Sequence, residues 1–434
     1  MKSFLLFLLL PLAAIAEPKA VFAHYMVCIP TYGGNSSIAD YQKEILDAQA
    51  AGIDGFALNC GGWSLREPHY KKRTQMIYQA AQELGTGFKL IMSVDFASGL
   101  TDEEFVDIVE TVRSHPNQFR HKGKPVLSTF AGKGHQTEVL RKAFGDSVVY
   151  LPFYYPSPAA EMPNKKQVDQ VFDLHGKDLD GFFHFGAAGT WQQMVNSNRL
   201  LADKWHAEGK LFMAGISPFY RGYRGNYRVY DYRGFEGVAA QWEGAIADNA
   251  DFVEMVTWND WGECSYFAPL PENAASCRLY NGNWGTLTSH AAYLKASRYY
   301  IAWYKTGRKP AIAKDAVFYF YRLAPKMVPA NKNLKTDQVE LALPAHSDKL
   351  PDDVFVTVFA KSAGTLTVFS GKTEKKFAVE AGVNHVSMPF EPGEQRFVLE
   401  RRGKILIDKT GECAISADDP WNVFNMFSGD AVAK

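Results

Sequence analysis

Cysteine is scarce in this chain of 434 residues, which holds five: Cys28, Cys60, Cys264, Cys277 and Cys413. No C-x-x-C or H-x-x-x-H spacing gathers ligands as a transition-metal site does, so no metal is expected. Neither sign of charge is in excess, with 47 basic and 47 acidic residues and no basic stripe. That balance argues against a nucleic-acid partner. Beyond the N-terminus no run of about 20 apolar residues exists to span a bilayer, so stable membrane insertion is not expected. Internal repeats and low-complexity linkers are also missing. The first strand is not followed by a glycine-rich phosphate turn of the right form, which counts against a dinucleotide-binding sheet. No cofactor is expected, and the chain is expected to act as a monomer.

The N-terminus has the layout of a secretory signal over residues 1–16. Lys2 precedes the apolar run Phe4 to Ala14, and Ala14-Ile15-Ala16 offers an A-x-A cleavage site. The mature chain is then expected to begin at Glu17 and to be exported, either secreted or periplasmic. In an oxidising compartment Cys264 and Cys277, which flank one loop, are a candidate disulfide pair, and Cys28 with Cys60 a second. Aromatic residues make up 14% of the chain, including 9 Trp and 21 Tyr. Such rings suit stacking on sugars as well as filling a large core.

From Ala20 onward strand-like and helix-like segments alternate. The strands are read at Ala20 to Val27, Gly52 to Asn59, Phe88 to Phe96, Pro125 to Ala131, Val148 to Tyr155, Gly181 to Ala187, Leu211 to Ser217 and Phe252 to Thr257. A helical pattern follows each, the third opened by Thr101 and Glu104 in capping style and the last spanning Ser289 to Tyr304. Eight such pairs over 17–308 are what a (β/α)8 TIM barrel of α/β class requires. From about Pro310 the pattern changes to period two, with short strands from Asp315 to Arg322, Gln338 to Leu343 and on to Lys404 to Asp408. Residues 309–434 are therefore read as a C-terminal antiparallel β-sandwich domain.

The chemistry-bearing stretch is Trp258-Asn259-Asp260-Trp261-Gly262-Glu263, just past the eighth strand. Carboxylates among tryptophans are costly to bury without a partner, and glycosidases work with two Asp/Glu groups around the scissile bond. Asp260 and Glu263 are the candidate acid–base pair. Functional groups in a barrel collect at the C-terminal ends of its strands. Those ends add His24, Asn59, Trp63, Asp95, Tyr154, His184, Trp191, Tyr220, Tyr223, Trp258 and Asn259 as candidate substrate contacts. Aromatic rings and hydrogen-bonding groups on one face suit a polysaccharide. For His24 and His184 a hydrogen-bonded core role competes with ligand contact.

In Val21-Phe22-Ala23-His24-Tyr25-Met26-Val27, Ala48 to Asn59, Lys89 to Asp95, Gly215 to Tyr220 and Val256 to Glu263, the chain resembles glycoside hydrolase family 71, the endo-α-1,3-glucanases or mutanases. The resemblance implies a barrel followed by a β-sandwich. It also implies hydrolysis of internal α-1,3-glucosidic bonds with inversion, carried by Asp260 and Glu263. Inversion requires the two carboxyl groups to stand roughly 6.5–9.5 Å apart, with a water between base and sugar. A related hydrolase of another α-glycan, such as an α-mannoside, and a non-catalytic glycan-binding protein are the alternatives.

Overall fold

A computed structural model describes residues 19–65, 67–271, 278–281, 285–328, 342–419, 422 and 424–434. Eight parallel strands form one curled sheet: β1 (Ala20–Met26), β2 (Gly55–Cys60), β3 (Lys89–Asp95), β4 (Lys124–Phe130), β5 (Val149–Pro152), β6 (Gly181–Phe183), β7 (Leu211–Ile216) and β8 (Phe252–Met255). Their order is β5-β4-β3-β2-β1-β8-β7-β6, so each strand neighbours the next in the chain and β1 pairs with β8. The two ends, β5 and β6, come into contact, although no hydrogen-bonded ladder joins them among the described residues. Gly181 permits that seam: a Cβ there would lie 2.5 Å from Leu151 Cδ2 and 2.4 Å from the Leu211 carbonyl oxygen.

The connecting helices are α1 (Ile38–Ala50), α2 (His69–Leu84), α3 (Asp102–Val112), α4 (Gly134–Phe144), α5 (Lys165–His175), α6 (Trp191–Ala207), α7 (Phe235–Ala247) and α8 (Ala291–Thr306). Their starts are written in the sequence as caps. Ser37 and Asp40 close a capping box on α1, Thr101 and Glu104 do so on α3, and Thr190 and Gln193 on α6. The Glu104 carboxylate also accepts the backbone N–H groups of Ser64 and Leu65, tying the β2 loop to α3.

Alternation along the parallel strands sends one set of side chains into the curl of the sheet. Phe22, Phe119 and Phe252 meet edge to face, with Phe22 and Phe119 centroids 4.9 Å apart. One step further along, His24 and Glu254 stand in the same interior, fully buried and 2.5 Å apart from Nδ1 to Oε1. Asn59 and Asp95 lie beyond them, at the strand ends where the site is built.

The C-terminal strands are β9 (Ala316–Arg322), β10 (Asp353–Ala360), β11 (Gly364–Ser370), β12 (Thr373–Val379), β13 (Gly382–Pro389), β14 (Gln395–Arg401), β15 (Lys404–Thr410) and β16 (Met426–Val432). They form two four-stranded antiparallel sheets, β13-β10-β9-β16 and β12-β11-β14-β15. Both faces of β9 are buried. Val317, Tyr319 and Tyr321 join Leu366, Val368 and Phe397 in an apolar cluster between the sheets. Phe318 and Phe320 instead join the core of the parallel part, where Phe320 packs 4.6 Å from Tyr293 of α8.

Some expectations are corrected by the structure, and others fall on residues outside those described. Cys28, Cys60 and Cys264 are free thiols and Cys413 is disulfide-bonded, so neither candidate pair forms. The final strand β16 was not expected: its Ser428-Gly429-Asp430 centre has weak strand propensity, and pairing along all of β9 overrides it. The expected strand Gln338 to Leu343 lies almost wholly outside the described residues, as does the N-terminal signal.

Candidate active site

The segment after β8 folds back on itself. Thr257 N–H donates to Ser265 O at 2.8 Å, Phe267 N–H to Thr257 O at 2.9 Å and Ala268 N–H to Trp258 O at 2.8 Å. Inside this loop Asp260 N–H donates to Thr257 Oγ1 at 2.8 Å, and Asp260 Oδ1 accepts the Glu263 N–H at 2.9 Å. The two carboxylates are thus fixed relative to each other by the backbone that carries them. Asp260 is only 9% exposed. The loop after β7 grips the other side: Arg221 N–H donates to Glu263 O at 2.8 Å, while the buried Arg221 guanidinium reaches Gly262 O and Cys264 Sγ, each at 3.2 Å.

Burial raises both acids, and the groups around each differ. Burial, then the charge of Asp260, push the Glu263 carboxyl up to about 8, against a hydrogen bond from Tyr220. Asp260 is also raised by burial, but the Glu263 N–H, His24, the Gly262 N–H and Arg221 all favour its ionised form. Acid–base cleavage of a glycosidic bond needs one carboxylic acid and one carboxylate, and the like charge of Asp260 favours the protonated form of Glu263.

A third carboxylate, Glu161, comes from the loop after β5. It pairs with Arg228 Nη2 at 2.5 Å and raises the Glu263 carboxyl further by like charge. Tyr155 faces the same group, since burial and then the charges of Glu161, Glu263 and Asp95 push its phenol up. Tyr220 donates to Glu263 Oε1 at 3.0 Å, and half-buried Tyr223 feels Asp260 and Glu263. Asp95 accepts from Asn59 Nδ2 at 3.3 Å and from Ala97 N–H at 2.9 Å, and burial raises it.

The sequence profile of glycosyl hydrolase family 71 matches residues 17–434. The chain belongs to that family. The glucan endo-1,3-alpha-glucosidase agn1 of Schizosaccharomyces pombe is 29% identical over 442 residues, covering 98% of this chain and 98% of the relative. The mutanase Pc12g07500 of Penicillium rubens is 28% identical over 429 residues, covering 96% and 90%. Among solved structures, the GH99 endo-alpha-mannosidase of Bacteroides thetaiotaomicron superposes with a TM-score of 0.51. It is 14% identical, with 67% of this chain and 98% of that one covered, a likeness of fold.

Within this family 71 chain the expected site residues fall into two groups. Asp260, Glu263, Tyr220, Tyr223, Asp95, Asn59 and His24 gather around the end of β8 or directly beneath it. The others are engaged elsewhere. Trp63 is buried and donates from Nε1 to Asp107 of α3 at 2.6 Å. Tyr154 turns to the helix layer and meets Thr137 of α4 at 2.7 Å, so its neighbour Tyr155 is the inward ring. Trp258 is buried with its ring 5.2 Å from Phe56. Asn259 accepts Met26 N–H at 2.7 Å and donates to Met26 O at 3.2 Å and Ile29 O at 3.0 Å, fastening the acid loop to the end of β1. His184 bonds to Asn198 of α6 and, from Nε2, to the backbone oxygen of Glu161 at 2.9 Å. It steadies the loop that carries Glu161 and is fully buried. Trp191 sits at the rim, packed on Gly237 of α7.

Glu161, Arg228 and Glu254 escaped the sequence reading. Two of the three carry a signal in the sequence. Glu161 lies past the end of the fifth strand, where barrel chemistry collects, and Glu254 is a lone acid in an apolar strand, as His24 is a lone polar residue in another.

Proposed function

We propose that the chain is an exported glycoside hydrolase cleaving internal α-1,3-glucosidic bonds of α-glucan with inversion. Glu263 acts as general acid on the leaving oxygen, and Asp260 as general base on water at the opposite face of the sugar. The observation that carries the roles is the difference in partners: burial and the charge of Asp260 push Glu263 up to about 8, whereas Asp260, itself raised by burial, accepts the Glu263 N–H and lies near the Arg221 guanidinium. The linkage is drawn from the relatives, named as an endo-1,3-alpha-glucosidase, a mutanase and an ascus wall endo-1,3-alpha-glucanase, the last 26% identical over 400 residues. Asp95, Asn59, Tyr155, Tyr220 and Tyr223 contact the substrate in this reading.

In the same reading the curled sheet is a closed (β/α)8 barrel over 17–308, and 309–434 form a β-sandwich that braces it through Phe318 and Phe320. Residues 1–16 direct export, and the mature enzyme works as a monomer on polysaccharide without nucleic acid. No helix among the described residues is long and apolar enough to cross a membrane. Conversion of an α-linked glucan with inversion releases the β-anomer first.

The test incubates the mature chain, from Glu17, with insoluble α-1,3-glucan and follows soluble products by chromatography and their anomers by NMR. Soluble β-anomeric oligosaccharides from the wild type, absent with Asp260→Asn and Glu263→Gln, are expected. An α-anomer as first product would overturn inversion. No product from a folded wild type would overturn the linkage.

A further inference from the structure

Ring contacts lead away from the acid pair along the same end of the parallel sheet. Tyr220, whose phenol bonds Glu263, lies 6.2 Å from the ring of Tyr230, and Tyr230 lies 5.2 Å from His346. Tyr230 and His346 line a groove with a volume of about 820 Å³, bounded on another side by Trp191 at the start of α6. The groove is therefore built by the chain after β6, the chain after β7 and the segment between β9 and β10.

Its surface has the makings of a platform for a neutral polymer. The half-buried Trp191 ring rests on the backbone of α7, where a Cβ at Gly237 would come within 2.7 Å of Trp191 Cγ. That support holds one side of the indole while the rest of the side chain faces the groove. Of the two cations on the lining, exposed Arg233 pairs with Glu236 at 2.8 Å; the other is the exposed Lys349. Asp231 lies on the same lining, but its carboxylate is turned inward: Oδ1 accepts the Arg233 N–H, Oδ2 is buried, and the charge of Arg322 favours its ionised form. The rings of Trp191 and Tyr230, with the exposed amide of Gln192 on the same lining, suit a hydroxyl-rich ring better than an apolar ligand.

We propose that this groove binds a stretch of the neutral glucan chain remote from the bond being cut, with Trp191 and Tyr230 stacking on sugar rings. Continuity through Tyr230 and Tyr220 to Glu263 makes it an extension of the cleavage site. Because His346 comes from between β9 and β10, the C-terminal sheets then help hold the polymer as well as brace the fold. The inference rests on the α-glucan reading given above.

The experiment uses the full mature chain carrying Glu263→Gln, which suppresses turnover, and titrates it calorimetrically with α-1,3-linked gluco-oligosaccharides of increasing length. Affinity is expected to rise again once the oligosaccharide is long enough to span acid loop and groove. Adding Trp191→Ala should remove that second rise and weaken long-chain binding about ten-fold, as loss of one aromatic anchor does, with short-chain binding retained. Trp191→Phe should recover part of the loss, and unfolding midpoints report separately on folding. Equal long-chain affinities with and without Trp191 would overturn the groove while leaving the glucan reading intact. Failure of every length to bind the folded parent would overturn the glucan reading, and the groove's ligand with it.

Discussion

Tyr220 donates its phenol hydrogen to Glu263 Oε1 at 3.0 Å, so the chain after β7 touches the carboxyl that is proposed to deliver the proton. A donor to a carboxylate favours its ionised form, and here it opposes the rise caused by burial and by Asp260. Tyr220→Phe removes that opposition and should raise the Glu263 carboxyl. The basic limb of the kcat profile, set by loss of the Glu263 proton, is expected to move upward by about half a pH unit, with kcat down roughly ten-fold. An unmoved basic limb at full kcat would take Tyr220 out of the site.

Glu161 and Arg228 allow the same limb to be moved in both directions. Glu161 raises Glu263 by like charge and Arg228 lowers it. Glu161→Gln leaves Arg228 uncompensated, so both changes favour ionised Glu263 and the basic limb should fall. Arg228→Ala leaves Glu161 uncompensated, and the limb should rise. Shifts of about half a unit or more are expected from charges in partly buried positions. Shifts of the same sign in the two variants would show that the limb belongs to another group.

Glu44 provides a stability readout from α1. It is 2% exposed on α1, accepts from Tyr25 Oη at 2.6 Å, and burial pushes it up to about 7. Its folded value is raised, so its contribution is complete below the usual carboxylate range and is lost as pH rises through about 7. Glu44→Gln keeps an acceptor for Tyr25 without a charge. Relative to wild type it should gain up to about 3 kcal/mol between pH 5 and pH 8. Urea unfolding at the two pH values measures this, and a constant difference would show that Glu44 does not titrate in that window.

Much of this organisation is legible in the sequence. Strand and helix alternation follows from period and caps, and Thr101 with Glu104 forms the expected capping box. Asp260 and Glu263 stood out because acids among tryptophans need a reason. What the sequence left undecided was direction. Tyr154 and Tyr155 are adjacent, and strand alternation sends one to α4 and the other to the acids. Which goes where depends on the register of a four-residue strand that ends in Pro152. Trp258 and Asn259 share the motif with the acids, yet they hold the loop in place. A motif marks a local structure, and its scaffolding residues look like its chemical ones. Glu161 and Arg228 lie 67 positions apart, and only the folded chain brings them together.

Asn259 carries the last prediction, because its amide makes three hydrogen bonds to the end of β1: one accepted from Met26 N–H and two donated to Met26 O and Ile29 O. The side chain is fully buried. Asn259→Ala removes all three and leaves buried backbone groups unpaired, at about 1 kcal/mol or more each, so a loss of roughly 3 kcal/mol in urea unfolding is expected. Asn259→Asp separates scaffold from chemistry. It keeps the acceptor for Met26 N–H, loses both donations, and adds a charge next to Asp260. Like charge raises the Asp260 carboxyl, so the acidic limb of the rate profile should move upward in Asn259→Asp and stay in place in Asn259→Ala. Loss of stability in both variants with a limb shift only in the charged one would separate the fastening role of Asn259 from the protonation of Asp260. A wild-type unfolding midpoint in Asn259→Ala would mean that β1 and the acid loop are held together by something other than this amide.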